Sequence, residues 1–272
     1  MKIALYCPVR EDARTLKLSL EQHSKLEGIS DRWYFDDNDD QESSSSRLLA
    51  PLEQLFIPRE IDRPQYLRKD SGTHEWTGTL MSRMAMIRNI GIDRFLKSDA
   101  DYLFMIDADL FPHPATAVHL ASLKRDIVSE VCWTQWKPHE PYLPNVWDQH
   151  NYSFRSFEWI LSLRETGNQH KVGGLGAITL FSRRALEHPG VNYSLIPSLA
   201  SVFPGEDRHF CIRAQAHGLE LWADTQYPPF HLYRKTQWDE LQEWLQAGSP
   251  SSWFKKRWLG QDWARRILAP AA

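Results

Sequence analysis

The chain has 272 residues, 42% hydrophobic and 25% charged, with Lys and Arg (32) nearly balancing Asp and Glu (35) for a net charge of −3. That composition excludes a wholly disordered chain and, by its slight acidity, a whole-protein electrostatic footprint for nucleic acid. No run of 18 apolar residues offers a transmembrane helix, and the apolar stretch Ile3 to Cys7 is too short for a signal peptide. The cysteines Cys7, Cys132 and Cys211 make neither a disulfide framework nor a metal spacing, so a reducing, cytoplasmic setting is expected.

In chain order, Lys2 to Cys7 predicts a buried strand, and Glu11 to Leu26 a helix with Leu16, Leu20 and Leu26 on its apolar side. Trp33 to Phe35 predicts a short strand. It runs into Asp36, Asp37, Asn38, Asp39 and Asp40 and then Ser43 to Ser46, a stretch expected to be a solvated loop apart from the strand-end residues. Thr77 to Leu96 carries helical spacing. Asp101 to Ile106 is a continuous apolar strand of the kind covered on both faces of an α/β sheet. A helix over 113–125, a strand over 127–133, an irregular stretch over 137–170, a strand over 172–181, a helix over 206–217 and a short strand over 219–223 follow. Strands alternating with helices predict an α/β domain over 1–233, and a helical, Trp-rich tail over 234–272.

Asp107-Ala108-Asp109 ends the apolar strand directly. In an open α/β sheet, ligands bind outside the carboxyl ends of the strands, and carboxylates one residue apart suit Mn²⁺ or Mg²⁺ with diphosphate oxygens completing the shell. Asp99-Ala100-Asp101 is the same tripeptide at the wrong end of the strand, where turn chemistry explains it. Gly205-Glu206-Asp207 opens a helix whose dipole is expected to keep Asp207 ionised, as a general base requires. His231, after Pro228-Pro229-Phe230, is a candidate third metal ligand.

The ordered set resembles the GT-A glycosyltransferases, particularly the bacterial inverting, family 2-type enzymes that use nucleotide sugars. The resemblance covers roughly residues 2–233 and rests on Ile3 to Arg10, Arg83 with Arg88-Asn89-Ile90-Gly91, Tyr102 to Asp109, Gly205 to Arg213, and Gly218 to His231. It implies a Rossmann-like mixed sheet flanked by helices and transfer of a single sugar from a UDP- or GDP-sugar to an acceptor hydroxyl with inversion. It further implies Asp109 and His231 as metal ligands and Asp107 as a contact to ribose or metal-bound water, with Ala108 between them. Pro8, Val9 and Arg10 would line base and ribose, Asp36 or Asp37 would read the base, Arg83 and Arg88 would face the nucleotide, and Asp207 would be the catalytic base. A retaining transferase and a binding module without turnover are the alternatives. The Gln-x-x-Arg-Trp signature of processive synthases is absent, since Gln261-Asp262-Trp263-Ala264-Arg265 does not match it.

The cluster Gly173-Gly174-Leu175-Gly176 lacks the dinucleotide fingerprint, and its glycines are expected to let backbone approach donor or acceptor. Phosphatases with a strand-end Asp-x-Asp need Thr or Val soon after it, where Leu110 and Phe111 stand. Nucleotidyltransferases need a glycine-rich loop after the first strand, where Pro8 to Asp12 has none. The sequons at Asn151 and Asn192 carry no weight without a secretory signal. Of 12 tryptophans, Trp133, Trp136, Trp147 and Trp159 fall on the stretch expected to meet the acceptor, with Glu206 beside them. That acceptor could be a glycan, a lipid-linked sugar, a peptide or a small molecule. Trp238, Trp244, Trp253, Trp258 and Trp263 are expected to be packing anchors. The tail is net +3 against −6 for the rest, and Trp253 to Trp258 is expected to dock on the acidic body or on another subunit, with peripheral membrane contact as the alternative.

Overall fold

The computed structural model describes residues 1–38, 43–55, 77–136, 142–148 and 157–253. Asp39, Asp40, Asn151, Trp258 and Trp263, and all of the basic patch beyond Trp253, lie outside them.

The first strand, β1 (Ile3–Val9), is buried at every residue and lies between β2 (Ile29–Asp36) and β4 (Tyr102–Ile106), parallel to both. With β3 (Gln54–Leu55), β6 (Ile127–Glu130), β9 (Gln169–Val172), β10 (Ile178–Ser182) and β11 (Leu221–Asp224) they form one sheet in the order β3-β2-β1-β4-β10-β6-β11-β9. Its strands are parallel except β10, antiparallel to β4 and β6, and β9, antiparallel to β11. The carboxyl ends of β1, β4, β6 and β11 therefore share one edge. Short pairs, β5 (Leu110–Phe111) with β12 (Phe230–His231) and β7 (Trp133–Thr134) with β8 (Leu143–Pro144), stand beyond it.

Alternation along the strands divides the core in two. Ile3, Leu5 and Cys7 of β1, with Phe104 and Ile106 of β4, pack with Leu16 of α1 (Ala13–Lys25) and with Ala117 and Leu120 of α4 (Thr116–Ser122). On the opposite face Ala4, Tyr6, Leu103 and Met105 meet Ala85, Ile87 and Phe95 of α3 (Gly78–Leu96) and Phe210 and Ala214 of α7 (Glu206–Ala216). Asp12 caps α1 by accepting from the Arg14 and Thr15 amides, and Thr77 caps α3 at the Leu80 amide.

The serine run is not a loop. Ser43 accepts from the Ser46 amide and starts α2 (Ser44–Leu49), because a hydroxyl that competes with helix interiors is favoured at a helix start. The second strand extends over eight residues, since the half-buried polar positions Asp31 and Arg32 pair with β1 although they lack an apolar signal. The stretch expected to be irregular holds β8, α5 (Phe157–Ser162) and the first half of β9. Beyond α6 (Arg183–Leu186) and β12, α8 (Trp238–Gln246) buries Leu241 and Trp244 fully in the same core cluster as Phe210 and Phe230. Trp238 and Trp253 pack partly buried against that cluster, and Arg14 lies 3.7 Å over the Trp238 ring. No helix among the described residues is long and apolar enough to cross a membrane.

One buried polar group is expected to weaken the fold in acid. His23 of α1 is fully buried, beside Ser19 Oγ (3.4 Å) and the Tyr34 hydroxyl (3.5 Å). Burial, aided by Arg32, lowers its pKa to about 3. A histidine unfolds into water at about 6.5, so the unfolded chain takes up a proton that the folded chain refuses as the pH falls from about 6.5 to 3. His23→Gln is expected to flatten the acid limb, recovering about 2 kcal/mol of the stability lost between pH 7 and pH 5 in urea titrations. An unchanged limb in the variant would show that other groups set it.

Candidate active site

The cleft opens at the carboxyl edge of β1 and β4. Among its lining are Pro8, Val9, Arg10, Asp37, Arg88, Asp107, Ala108, Asp109, Trp136, Glu206, Asp207 and His231, so the structure gathers most of the sequence candidates in one place.

At the first wall the Asp37 amide donates to Val9 O (2.8 Å), which carries the end of β2 against the end of β1. Asp37 is buried, and it accepts from Arg83 Nε at 2.9 Å with Arg83 Nη2 also in contact. Arg10 Nη1 donates to the Asp37 carbonyl at 3.1 Å. Asp36 does not line the cleft, because its Oδ1 is turned to the Asn38 amide (3.0 Å) and Nδ2 (2.7 Å). Arg83 does not line it either. Its guanidinium is folded onto Asp37 and buried, where a cation facing a nucleotide had been expected.

On the floor, Arg88 of α3 is 3% exposed and grips three carboxylates. Its Nε lies 2.8 Å from Glu206 Oε1 and 3.7 Å from Asp207 Oδ1, and its Nη2 lies 3.1 Å from Asp107 Oδ1. Burial alone would lower the Arg88 pKa, but Asp107, Asp207 and Glu206 outweigh it and hold it well above the ordinary value. Arg88 is thus a buried hub between acids. Glu206 is 1% exposed, so it faces Arg88 rather than solvent.

Asp207 departs from expectation. Burial, reinforced by Glu206 and Asp107 and opposed by Arg88, raises its pKa to about 8. Desolvation of a carboxyl with like charges beside it overrides the half-charge of a helix N-terminus. Its Oδ1 and Glu206 Oε2 have no hydrogen-bond partner among the described residues. The turn into α7 is made by Gly205 at φ 102°, and the Gly205 amide donates to Met81 Sδ at 3.1 Å, fixing where Glu206 and Asp207 emerge.

Opposite stands the acidic strand end. His231 pairs with Leu110 through β12 and β5, which sets its Nε2 3.4 Å from Asp109 Oδ2. Thr134 Oγ1 lies 2.8 Å from His231 Nδ1 and orients the ring. An imidazole nitrogen beside a buried carboxylate, with the other nitrogen held, fits a divalent-cation pair of the N,O type. Asp107 is drawn to Arg88 instead, and burial, with Asp109 and Glu206 adding, raises its pKa. The other Asp-x-Asp lies at the far edge, Asp99 bonded to Lys2 Nζ and Asp101 to the Lys2 amide (2.7 Å).

The expected acceptor groups divide. Trp136 lines the cleft, 38% exposed, with its ring centroid 5.4 Å from that of Tyr233 in an edge-on contact. Trp133 is 2% exposed, packed in the core beneath Arg164, and does not reach the cleft. Gly173 and Gly174 do not reach it either. Gly173 N and O are held by Trp147 O (2.8 Å) and Gln215 Nε2 (2.7 Å), and the Trp147 indole lies where a Cβ of residue 174 would stand. Gly176 is the glycine that matters to the cleft, since a Cβ there would enter the Asp207 carboxylate. Gly176→Ala is expected to lower kcat on the order of 100-fold by displacing Asp207, with the thermal midpoint little changed. Tyr233 lines the cleft unpredicted, two residues after His231 and just past the end of β12. Ala177, which accepts from the Asp107 amide (2.9 Å), has φ 64°, a strained value for alanine at a cleft-lining position.

No family model matches the chain, and no curated protein matches it in sequence. Solved structures do. GalNAc-T7 with UDP, GalNAc and Mn²⁺ is similar at a TM-score of 0.53 and 14% identity over 86% of this chain and 44% of that one. The mannosyltransferase PcManGT from Pyrobaculum calidifontis, in complex with GDP-Man and Mn²⁺, is similar at a TM-score of 0.48 and 15% identity over 88% of this chain and 59% of that one. Residues 1–349 of TarS from S. aureus are similar at 0.48 and 11% identity over 85% of this chain and 60% of that one. The chain therefore spans between 44% and 60% of the length of these structures. Such identities bear on architecture, and the mixed sheet flanked by helices is the GT-A type of fold.

Proposed function

We propose that the chain is a glycosyltransferase of the GT-A type that moves a single sugar from a UDP- or GDP-sugar to an acceptor hydroxyl with inversion. The observation that carries this reading is the pairing of two acidic centres across one cleft. Asp109 and His231 make an N,O pair at a strand end, and Asp207 carries a half-buried carboxyl with a pKa of about 8 at a helix start. The structures of similar fold that hold UDP or GDP-sugar with Mn²⁺ support the donor class.

In this reading Asp109 and His231 would hold Mn²⁺ or Mg²⁺, which as a Lewis acid supplies stabilisation of the leaving diphosphate's charge. Pro8, Val9 and Asp37 bound the base and ribose end. Asp107 meets the nucleotide while Arg88 fixes its orientation. Asp207 Oδ1, which makes no hydrogen bond among the described residues, receives the proton of the acceptor hydroxyl as that oxygen attacks the anomeric carbon. Trp136 and Tyr233 exclude water and offer aromatic faces to a sugar. The GT-A unit is assigned to 1–233, with 234–272 as its C-terminal appendage.

Release of nucleoside diphosphate from a panel of nucleotide sugars, with Mn²⁺ and with EDTA, tests the reading. Metal-dependent release with at least one donor is expected, and NMR of the first product formed is expected to show the inverted anomer. No release from any donor would remove the proposal, and a retained anomer would remove Asp207 as base.

A further inference from the structure

A second cluster of ligating side chains lies at the same sheet edge but outside the cleft. Glu130 and Asp224, the last residues of β6 and β11, are register partners on adjacent parallel strands. Alternation puts Glu130 on the face of Val128, the face that α4 covers. From α4, His119 Nε2 reaches Asp224 Oδ1 at 2.9 Å. One ligating atom from each of His119, Glu130 and Asp224 falls within 4.8 Å of the others. Among the described residues this is the trio of His, Cys, Asp and Glu side chains that meets that spacing.

The surroundings are built around these atoms. Glu130 is 0% and Asp224 2% exposed. Glu130 Oε2 accepts from the Tyr227 amide (3.2 Å), and Asp224 Oδ1 accepts from the Gln226 amide (2.8 Å). The Tyr227 ring stacks on His113 at 4.4 Å and meets His119 edge-on at 5.2 Å, bracing the imidazole. Glu130 Oε1, by contrast, is buried and meets no hydrogen-bond donor among the described residues, leaving it only the Asp224 carboxyl as a polar neighbour. Two buried carboxylates in register need a cation or a proton between them. Among the described residues no lysine or arginine pairs with either, and the His119 imidazole is the side chain that meets Asp224. The His119 side chain is 23% exposed, which leaves an entry path from solvent.

We propose that His119, Glu130 and Asp224 form a binding site for a divalent transition-metal ion of the Zn²⁺ type, separate from the Asp109–His231 pair. One imidazole and two carboxylates make a three-ligand N,O,O set with room for water, and the imidazole favours zinc-like ions over Mg²⁺ or Ca²⁺. The ion would tie α4 to the ends of two central strands, and the orphaned Glu130 Oε1 would be satisfied.

The test uses the full chain carrying Asp109→Asn, which removes the other candidate pair, after EDTA dialysis. Calorimetric titration with ZnCl₂ is expected to show one equivalent bound, and adding Glu130→Gln or His119→Gln is expected to weaken Kd at least 100-fold. Co²⁺ in place of Zn²⁺ is expected to give a visible absorption band that the second substitution abolishes. Without any second substitution, Zn²⁺ at 100 times Kd is expected to raise Tm by about 5 °C or more, reversibly with EDTA. Absence of both binding and the Tm rise, or an unchanged Kd in folded His119→Gln protein, would overturn the proposal and leave the trio held by a shared proton.

Discussion

Replacing Asp207 with asparagine is expected to reduce sugar transfer about 1,000-fold while leaving the affinity for nucleoside diphosphate within a factor of a few. Asparagine keeps the size of the side chain and its place in the first turn of α7 but cannot take the acceptor's proton, and a positioned base is worth roughly 10²–10⁴ in rate. Because burial, Glu206 and Asp107 lift the Asp207 pKa to about 8 against the pull of Arg88, the base is mostly protonated below that value. The kcat/KM of the wild-type chain, which reports the free enzyme, is therefore expected to rise with pH and level off above about 8. Loss of that limb in the asparagine variant would link the ionisation to this residue. Near-normal turnover, or an unchanged limb, would place the base elsewhere.

Much of this arrangement is legible in the order of residues, and the boundary of what is legible is physical. The run Tyr102 to Ile106 reads as a doubly covered strand because Leu103 to Ile106 offer no side chain that water would stabilise. The position of Asp107 and Asp109 at its carboxyl end then follows from the parallel sheet. The same logic correctly separates Asp99 and Asp101, which bond Lys2 at the opposite edge. Pairings across the chain leave no such mark. Arg88 and Glu206 stand 118 residues apart, and nothing local says that an arginine on one helix will neutralise the start of another. The same holds for Arg83, which serves Asp37.

The glycines and tryptophans show the other side of that limit. Gly174 and Gly176 look alike in sequence, but one accommodates the Trp147 indole and the other the Asp207 carboxylate. A missing Cβ signals close approach without naming what approaches. Trp133 and Trp136 are three residues apart, yet the pairing of β7 with β8 buries the first, while the second emerges at the cleft mouth against Tyr233. Trp244 is a packing anchor for a nameable reason, since the amphipathic α8 turns it and Leu241 inward onto Phe230.

Arg88→Met should cost both fold and function, and the pH dependence separates the two. The guanidinium is buried and supplies the only cation that pairs with Glu206, Asp107 and Asp207 among the described residues. Methionine fills the volume but leaves buried carboxylates uncompensated, which costs about 3–5 kcal/mol when one partner of a buried pair is removed. Asp107 and Asp207 already have raised pKa values, and losing Arg88 removes the main influence that lowers them. A carboxyl with a raised folded-state pKa contributes stability that is fully present below its unfolded value near 4 and is lost as pH climbs through the folded value. The deficit of Arg88→Met relative to wild type is therefore expected to be larger at pH 8 than at pH 5 in urea titrations, while turnover is lost at both. Arg88→Lys keeps the charge but offers a single point in place of a fork that spans Glu206 and Asp107, so it should restore stability more than activity. A deficit independent of pH would mean that Arg88 stabilises by packing alone, and the hub between the three carboxylates would not be electrostatic.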